Sequence, residues 1–181
     1  MTSKIKVNIL ADGGDNSIIT SDGAGSFTAS SSLASSVQSV GGIQMTPAFF
    51  SKQGSSQTIS SLTWTKMDID TEIFDSDSTF DTATNRFTPA VAGKYFIYGQ
   101  VNISGGSTNT LVQIAIYKNG SEAYMCVDRY PNGNDIAVNI QVALDLNDTD
   151  YVEAYARQSQ GVNADVLSNS SFFGAYKIIG A

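Results

Sequence analysis

The chain has no histidine and a single cysteine, Cys126. The first absence removes the commonest general base, every Ser-His or Cys-His nucleophile pair, and His-ligated zinc. The second excludes an intramolecular disulfide and a thiolate metal cluster, so cysteine usage gives no redox compartment. Cys126 itself reads as a small buried hydrophobe in a strand. Positive charge is scarce as well. Ten Lys+Arg stand against 17 Asp+Glu, a net charge of -7 over 181 residues. Such a chain is repelled by phosphate, which counts against nucleic acid and anionic membrane surfaces as partners. No apolar run is long enough for a transmembrane helix, so no membrane insertion is expected. The opening MTSKIKVNILADGG lacks the apolar core of a secretory signal. The expectation is a chain that is cytosolic or that leaves its cell by lysis.

What is present divides into two halves. Hydrophobic residues make up 41% of the chain, enough for one core. Residues 1–45 hold one aromatic, Phe27, of the chain's 18. Ile5, Val7 and Ile9 alternate with polar residues, and glycine turns separate further short apolar stretches around Ile18-Ile19 and SFTAS. This half reads as a small β-rich, Ser/Gly-rich segment. Within it, Leu33, Val37 and Val40 fall at i, i+4 and i+7, one apolar stripe on a helix. Two readings stay open: a flexible Ser-rich linker, or a neck that packs against copies of itself.

From residue 46 to 181 the pattern is all-β. Period-two segments occur at 47–53, 62–69, 94–103, 110–118, 122–130, 135–144, 150–158 and 171–179, broken by turn residues. Asn119-Gly120 is a hairpin signal. Eight or more short strands predict an antiparallel two-sheet sandwich or jelly roll.

The segment FDSDSTFDTATNRFTPAVAGKYFIY (74–98) carries Phe80, Phe87, Gly93 and Tyr95 at fixed spacings, with Asp75 five residues before the first aromatic. This resembles the signature of the complement C1q-like domain, within the tumour-necrosis-factor-like jelly rolls. The segments 63–75, 116–122, 146–158 and 171–178 are similar to further strands of that family. Ile69, Ile97 and Gly99 depart from it where aromatics are usual, and Thr149 where glycine is. The resemblance implies that the motif aromatics are core, that the domain is a homotrimer, and that it is a binding head and not an enzyme. The amino-terminal half, with MTSKIKVN, glycine turns and a Ser-rich stretch, is similar to the start of bacteriophage tail-fibre and virion appendage proteins. That implies a trimer docked to other virion proteins through residues 1–45, displayed on the virion exterior and facing a host cell-surface glycan or protein. Alternatives are a capsid decoration or cement protein at three-fold positions and a free lectin-like module.

Candidate site residues are few. Asp68, Asp70 and Glu72 alternate and would share a strand face, and a second acidic cluster spans Asp145 to Glu153. Asp75, Asp77, Asp148 and Asp150 are candidate calcium ligands, against the simpler reading of solvated carboxylates. The pattern calls for no other cofactor. For a sugar ligand the loop residues Tyr130, Asn132 and Asn134 are candidates, since binding residues concentrate in loops. Tyr124 reads instead as half-buried strand packing.

Overall fold

Alternation along the longest strands decides the architecture. In KYFIYGQVNI, Tyr95, Ile97, Val101 and Ile103 point to one face and Lys94, Phe96, Tyr98 and Gln100 to the other. The first set is inaccessible to solvent. The computed structural model describes residues 9–11, 17–21, 24, 27–29, 45–105, 109–129 and 134–180. It divides into two units, Met1–Gln44 and Met45–Ala181.

In the first unit, β1 (Ile9–Ala11), β2 (Ser17–Ser21) and β3 (Phe27–Ala29) form an antiparallel sheet in that order. Ile9 pairs with Thr20, and Ile19 with Ala29. The proposed neck residues Leu33, Val37 and Val40, and Ile5 and Val7, lie outside the described residues.

The second unit contains thirteen strands among its described residues: β4 (Ala48–Lys52), β5 (Gln57–Ile59), β6 (Thr65–Lys66), β7 (Thr71–Asp75), β8 (Phe80–Asp81), β9 (Arg86–Phe87), β10 (Gly93–Ile103), β11 (Leu111–Lys118), β12 (Ser121–Arg129), β13 (Ile136–Leu146), β14 (Val152–Gln158), β15 (Ala164–Val166) and β16 (Phe172–Gly180). One sheet runs β13-β10-β16-β4-β7, with β15 and β5 continuing beside the far end of β10. The other runs β12-β11-β14-β9-β8, with β6 also against β14. Every pairing is antiparallel, and no helix occurs among the described residues. The expected two-sheet jelly roll is the fold.

The core lies between the sheets. Phe49, Tyr95, Ile97 and Phe173 of the first sheet meet Val112, Ile114, Ile116 and Phe87 of the second. Phe49 is its aromatic hub, with ring centroids 4.4 Å from Phe80, 4.8 Å from Phe87 and 5.2 Å from Phe173. Offset and edge contacts of this kind add to the burial of large apolar area. The Tyr95 hydroxyl donates to the carbonyl of Val91 at 2.7 Å, satisfying the polar tip of an otherwise buried ring. Burial, followed by the Asp77 charge, pushes that phenol up to about 12.

The departures from the family spacing also resolve physically. Ile69 and Ile97 are fully buried and serve as core apolar residues. Gly99 lies against Ile114 and Phe173; a Cβ there would sit 3.2 Å from the Phe172 carbonyl oxygen and 3.4 Å from Ile114 Cδ1. Neighbouring side chains fill the space an aromatic would occupy.

Three expectations are corrected. Segment 62–69 is strand only at Thr65–Lys66; it opens on a turn in which Leu62 takes a φ of 60°, outside the extended region. Asp68 and Asp70 precede β7 and do not share a strand face with Glu72; Asp68 accepts from Asn85 Nδ2 at 3.0 Å and Asp70 from the Gly54 amide at 2.7 Å. Cys126 and Tyr124 are exposed, Tyr124 by 52%. Both lie on β12, an edge strand with every residue exposed, so strand alternation there buries neither face. The hairpin signal is realised: Asn119 and Gly120, at φ 52° and 78°, join β11 to β12.

Candidate functional site

Strands β4, β10 and β16 each carry aromatics at consecutive positions: Phe49-Phe50, Tyr95-Phe96 and Phe172-Phe173. Alternation sends one member of each pair to the core and the other outward. A sheet with a solvated outer face has no need of the second ring. Here the second rings converge. Phe50 stands 6.3 Å from Phe74, 6.2 Å from Tyr98 and 5.5 Å from Phe172. Tyr176 stands 5.4 Å from Phe96 and 6.4 Å from Tyr98. Six rings therefore cover the outer face of the β10 sheet as one connected cluster.

The backbone is shaped for this cluster. Tyr98 pairs with Gly174 across β10 and β16. A Cβ on Gly174 would lie 2.5 Å from Tyr98 Cζ, so the ring rests flat against bare backbone. Burial, with Tyr176 second, raises the Tyr98 phenol above its ordinary value. Phe74 remains 49% exposed and its neighbour Ile73 53%. A contiguous apolar patch on a protein surface marks an interaction site. At one margin of the sheet Lys94 pairs with Asp145 at 3.2 Å, a solvated ion pair of little energetic weight.

A second apolar feature lies on the open side of the sandwich. By register, Tyr124 and Cys126 of β12 stand opposite Ile116 and Ile114 of β11, on the core-facing side. Yet both remain exposed. On β13, Val142 and Leu144 are only partly buried.

The motif residues Phe80, Phe87, Gly93 and Tyr95 are all buried. Asp75 and Asp77 lie close together around the turn after β7. The Asp75 carboxylate accepts from the Phe80 amide at 2.7 Å, the Thr79 hydroxyl at 3.2 Å and the Asp77 amide at 3.3 Å, so its lone pairs serve the turn. Asp77 lines a shallow cavity with Thr79, Asp81, Arg86 and Thr88. There the Thr84 hydroxyl, and next the Ala83 amide, hold the Asp81 carboxyl below its ordinary value. Asp148 is exposed on the turn before β14. Its neighbour Asp150 is buried and accepts from Asn119 Nδ2 at 2.7 Å and the Asn147 amide at 2.8 Å, beside Lys118 Nζ at 2.8 Å. Lys118 first, then those donors, hold its carboxyl down at about 2. The two acidic pairs sit on different turns. Among the described residues no three carboxylates or thiols converge as a metal site. Asn134 lies on the approach to β13, while Tyr130 and Asn132 fall outside the described residues.

Sequence reasoning located Tyr95, the core half of one pair, and missed Phe49, Phe173 and all three outward halves. The signal was available: paired aromatics in adjacent positions of alternating strands mean that both faces are covered.

This architecture defines an antiparallel jelly-roll domain whose distinctive surface is an aromatic sheet face. The C1q domain model matches residues 48–178. The chain belongs to the C1q domain family. Its fold is similar to the globular domain of a zebrafish complement 1qA protein, with 15% identity, a TM-score of 0.57, and coverage of 75% of this chain and 99% of that one. It is also similar to the Eiger TNF of S. frugiperda (15% identity, TM-score 0.54, 74% and 93% covered) and to murine APRIL (14%, 0.54, 72% and 99%). No curated protein sequence matches the chain.

Proposed function

We propose that the protein is a non-enzymatic homotrimeric binding head. One observation carries the reading: the six-ring aromatic face on the outer side of the β10 sheet. A closed three-fold assembly is heterologous, so it joins two different patches on each protomer. The domain presents two. One is the aromatic face; the other is the open edge with Tyr124 and Cys126 of β12 beside Val142 and Leu144 of β13. The trimeric habit of C1q and tumour-necrosis-factor-like domains supports the same reading.

In the finer reading the head is a bacteriophage virion structural protein. It docks on other virion proteins through residues 1–45, stands on the virion exterior as a tail fibre or fibre-like appendage, and meets a host cell-surface glycan or protein. The support is the amino-terminal sequence pattern, MTSKIKVN followed by glycine turns and a Ser-rich stretch, together with the division of the chain into a small β unit and the jelly roll.

Light scattering of the full chain at micromolar concentration tests assembly. Three times the protomer mass is expected, and a monomer overturns the trimer. Gold-labelled antibody against residues 46–181, imaged on phage particles of the source culture, tests location. Tail label supports the appendage, shell label replaces it with capsid decoration, and unlabelled particles remove the virion reading.

A further inference from the structure

The second sheet also has an outer face, and it differs from the first. Register places Leu111, Gln113, Ala115 and Tyr117 of β11 on it, opposite Arg157, Tyr155 and Glu153 of β14. Lys66 of β6 lies beyond Tyr155, and Val127 and Arg129 of β12 on the other flank. Tyr117 and Tyr155 stack at 4.0 Å, and Trp64 meets Tyr117 edge-on at 6.3 Å.

Charge divides this face. At the hairpin end, Glu153 is 2% exposed and its Oε1 holds Arg86 at 3.0 Å and Lys66 at 3.4 Å. Those cations are compensated. Toward the other end Ala115 and Gln113 are covered, and the accessible residues are Leu111, Met125, Val127, Tyr155, Arg157 and Arg129, with no acid among them. Arg157 Nη1 donates to Gln113 Oε1 at 3.0 Å, and its guanidinium carbon lies 5.9 Å from the centre of the Trp64 ring. Arg129 donates to Asn109 Oδ1 at 2.8 Å. Both therefore bond to neutral amides. Among the described residues, neither forms an ion pair. In a chain of net charge -7, two guanidiniums without carboxylate partners, beside part-exposed aromatic rings, are a local reversal of sign.

From this placement we infer that the Arg157-Arg129 end of this face, with Trp64 and Tyr155, binds an acidic polysaccharide whose sugars carry carboxylates. Guanidinium forks match carboxylates in geometry and charge. Indole and phenol rings take the apolar faces of pyranose rings, while the buried Gln113, its Nε2 on Met125 Sδ at 3.5 Å, holds the Arg157 guanidinium from below. Neutral sugars leave the arginines unused, and an acidic peptide leaves the rings without sugar faces. The inference rests on the head reading only for accessibility: assembly uses the β10 sheet and the core-facing side of β12, Tyr124 and Cys126, which leaves the other side of β12 with Val127 and Arg129 outward, and a trimer repeats the site three times, adding avidity.

Trp64 is the chain's single tryptophan, so its fluorescence reports this site alone. The full chain would be titrated with polygalacturonate in low salt, against dextran (sugar without charge) and poly-L-glutamate (charge without sugar). Saturable change of Trp64 emission with polygalacturonate is expected, with at least about fivefold weaker response to the other two polymers and about tenfold weakening in Arg157→Gln. Arg129→Gln, a change at an exposed residue, should weaken binding in the same direction, which keeps the test valid if Arg157→Gln fails to fold. No emission change with polygalacturonate, equal response to polyglutamate, or full affinity in Arg129→Gln overturns the inference. Light scattering of the same samples separates the two readings. A trimer without binding removes this site and leaves the head; a monomer that binds does the reverse.

Discussion

Truncating Phe50 to alanine tests the aromatic face directly. The residue is half-buried in the isolated chain and packs on Phe74, Tyr98 and Phe172, outside the core. If assembly covers on the order of 60 Å² more of this side chain, its loss costs about 1.5 kcal/mol per protomer. A trimer loses it three times, about 4.5 kcal/mol, which lowers the association constant about 2,000-fold. That constant scales with the inverse square of concentration, so the concentration of half-assembly rises about 40-fold. Sedimentation equilibrium across a dilution series reads this midpoint, and far-UV circular dichroism checks the fold. Val162→Ala, at a residue 64% exposed near β15, should leave the midpoint unchanged. A folded Phe50→Ala variant that assembles at the wild-type concentration would refute the role assigned to this face.

Two further outcomes follow from packing and charge. Gly174→Ala places a Cβ 2.5 Å from Tyr98 Cζ, inside a ring cluster that resists displacement, and should cost about 1–3 kcal/mol in thermal unfolding; an unchanged melting temperature would mean that Tyr98 has room to move. Asp150→Asn removes a carboxylate held at about 2 against an ordinary 3.8, and should destabilise the domain by about 1–2 kcal/mol at neutral pH. Because the folded pKa is the lower one, this stabilisation is present above about pH 4 and disappears as pH falls toward 2. The gap in melting temperature between wild type and variant should therefore close over that window, and a gap constant from pH 6 to 2 would contradict the assignment.

The amino-acid sequence by itself determined the fold class, because strand alternation and aromatic spacing are local. Phe80, Phe87, Gly93 and Tyr95 could be assigned to the core from their positions, and Asn119-Gly120 to a hairpin from its turn chemistry. The C1q resemblance rested on those same residues. What the sequence could not carry is pairing between distant strands. Asp75 and Asp150 look like solvated acids until the structure shows Asp75 capping its own turn, and Asp150 reaching Asn119 and Lys118 from 31 and 32 positions along the chain. Cys126 reads as buried and Tyr124 as half-buried because they sit in a regular strand, and only the sheet order makes that strand an edge. The two outer faces depend on tertiary structure most of all. Phe50, Tyr98 and Phe172 are up to 122 residues apart, and Trp64 lies 93 positions from Arg157. Each gathers on one surface because antiparallel register aligns side chains of the same parity across neighbouring strands, a relation that no single segment contains.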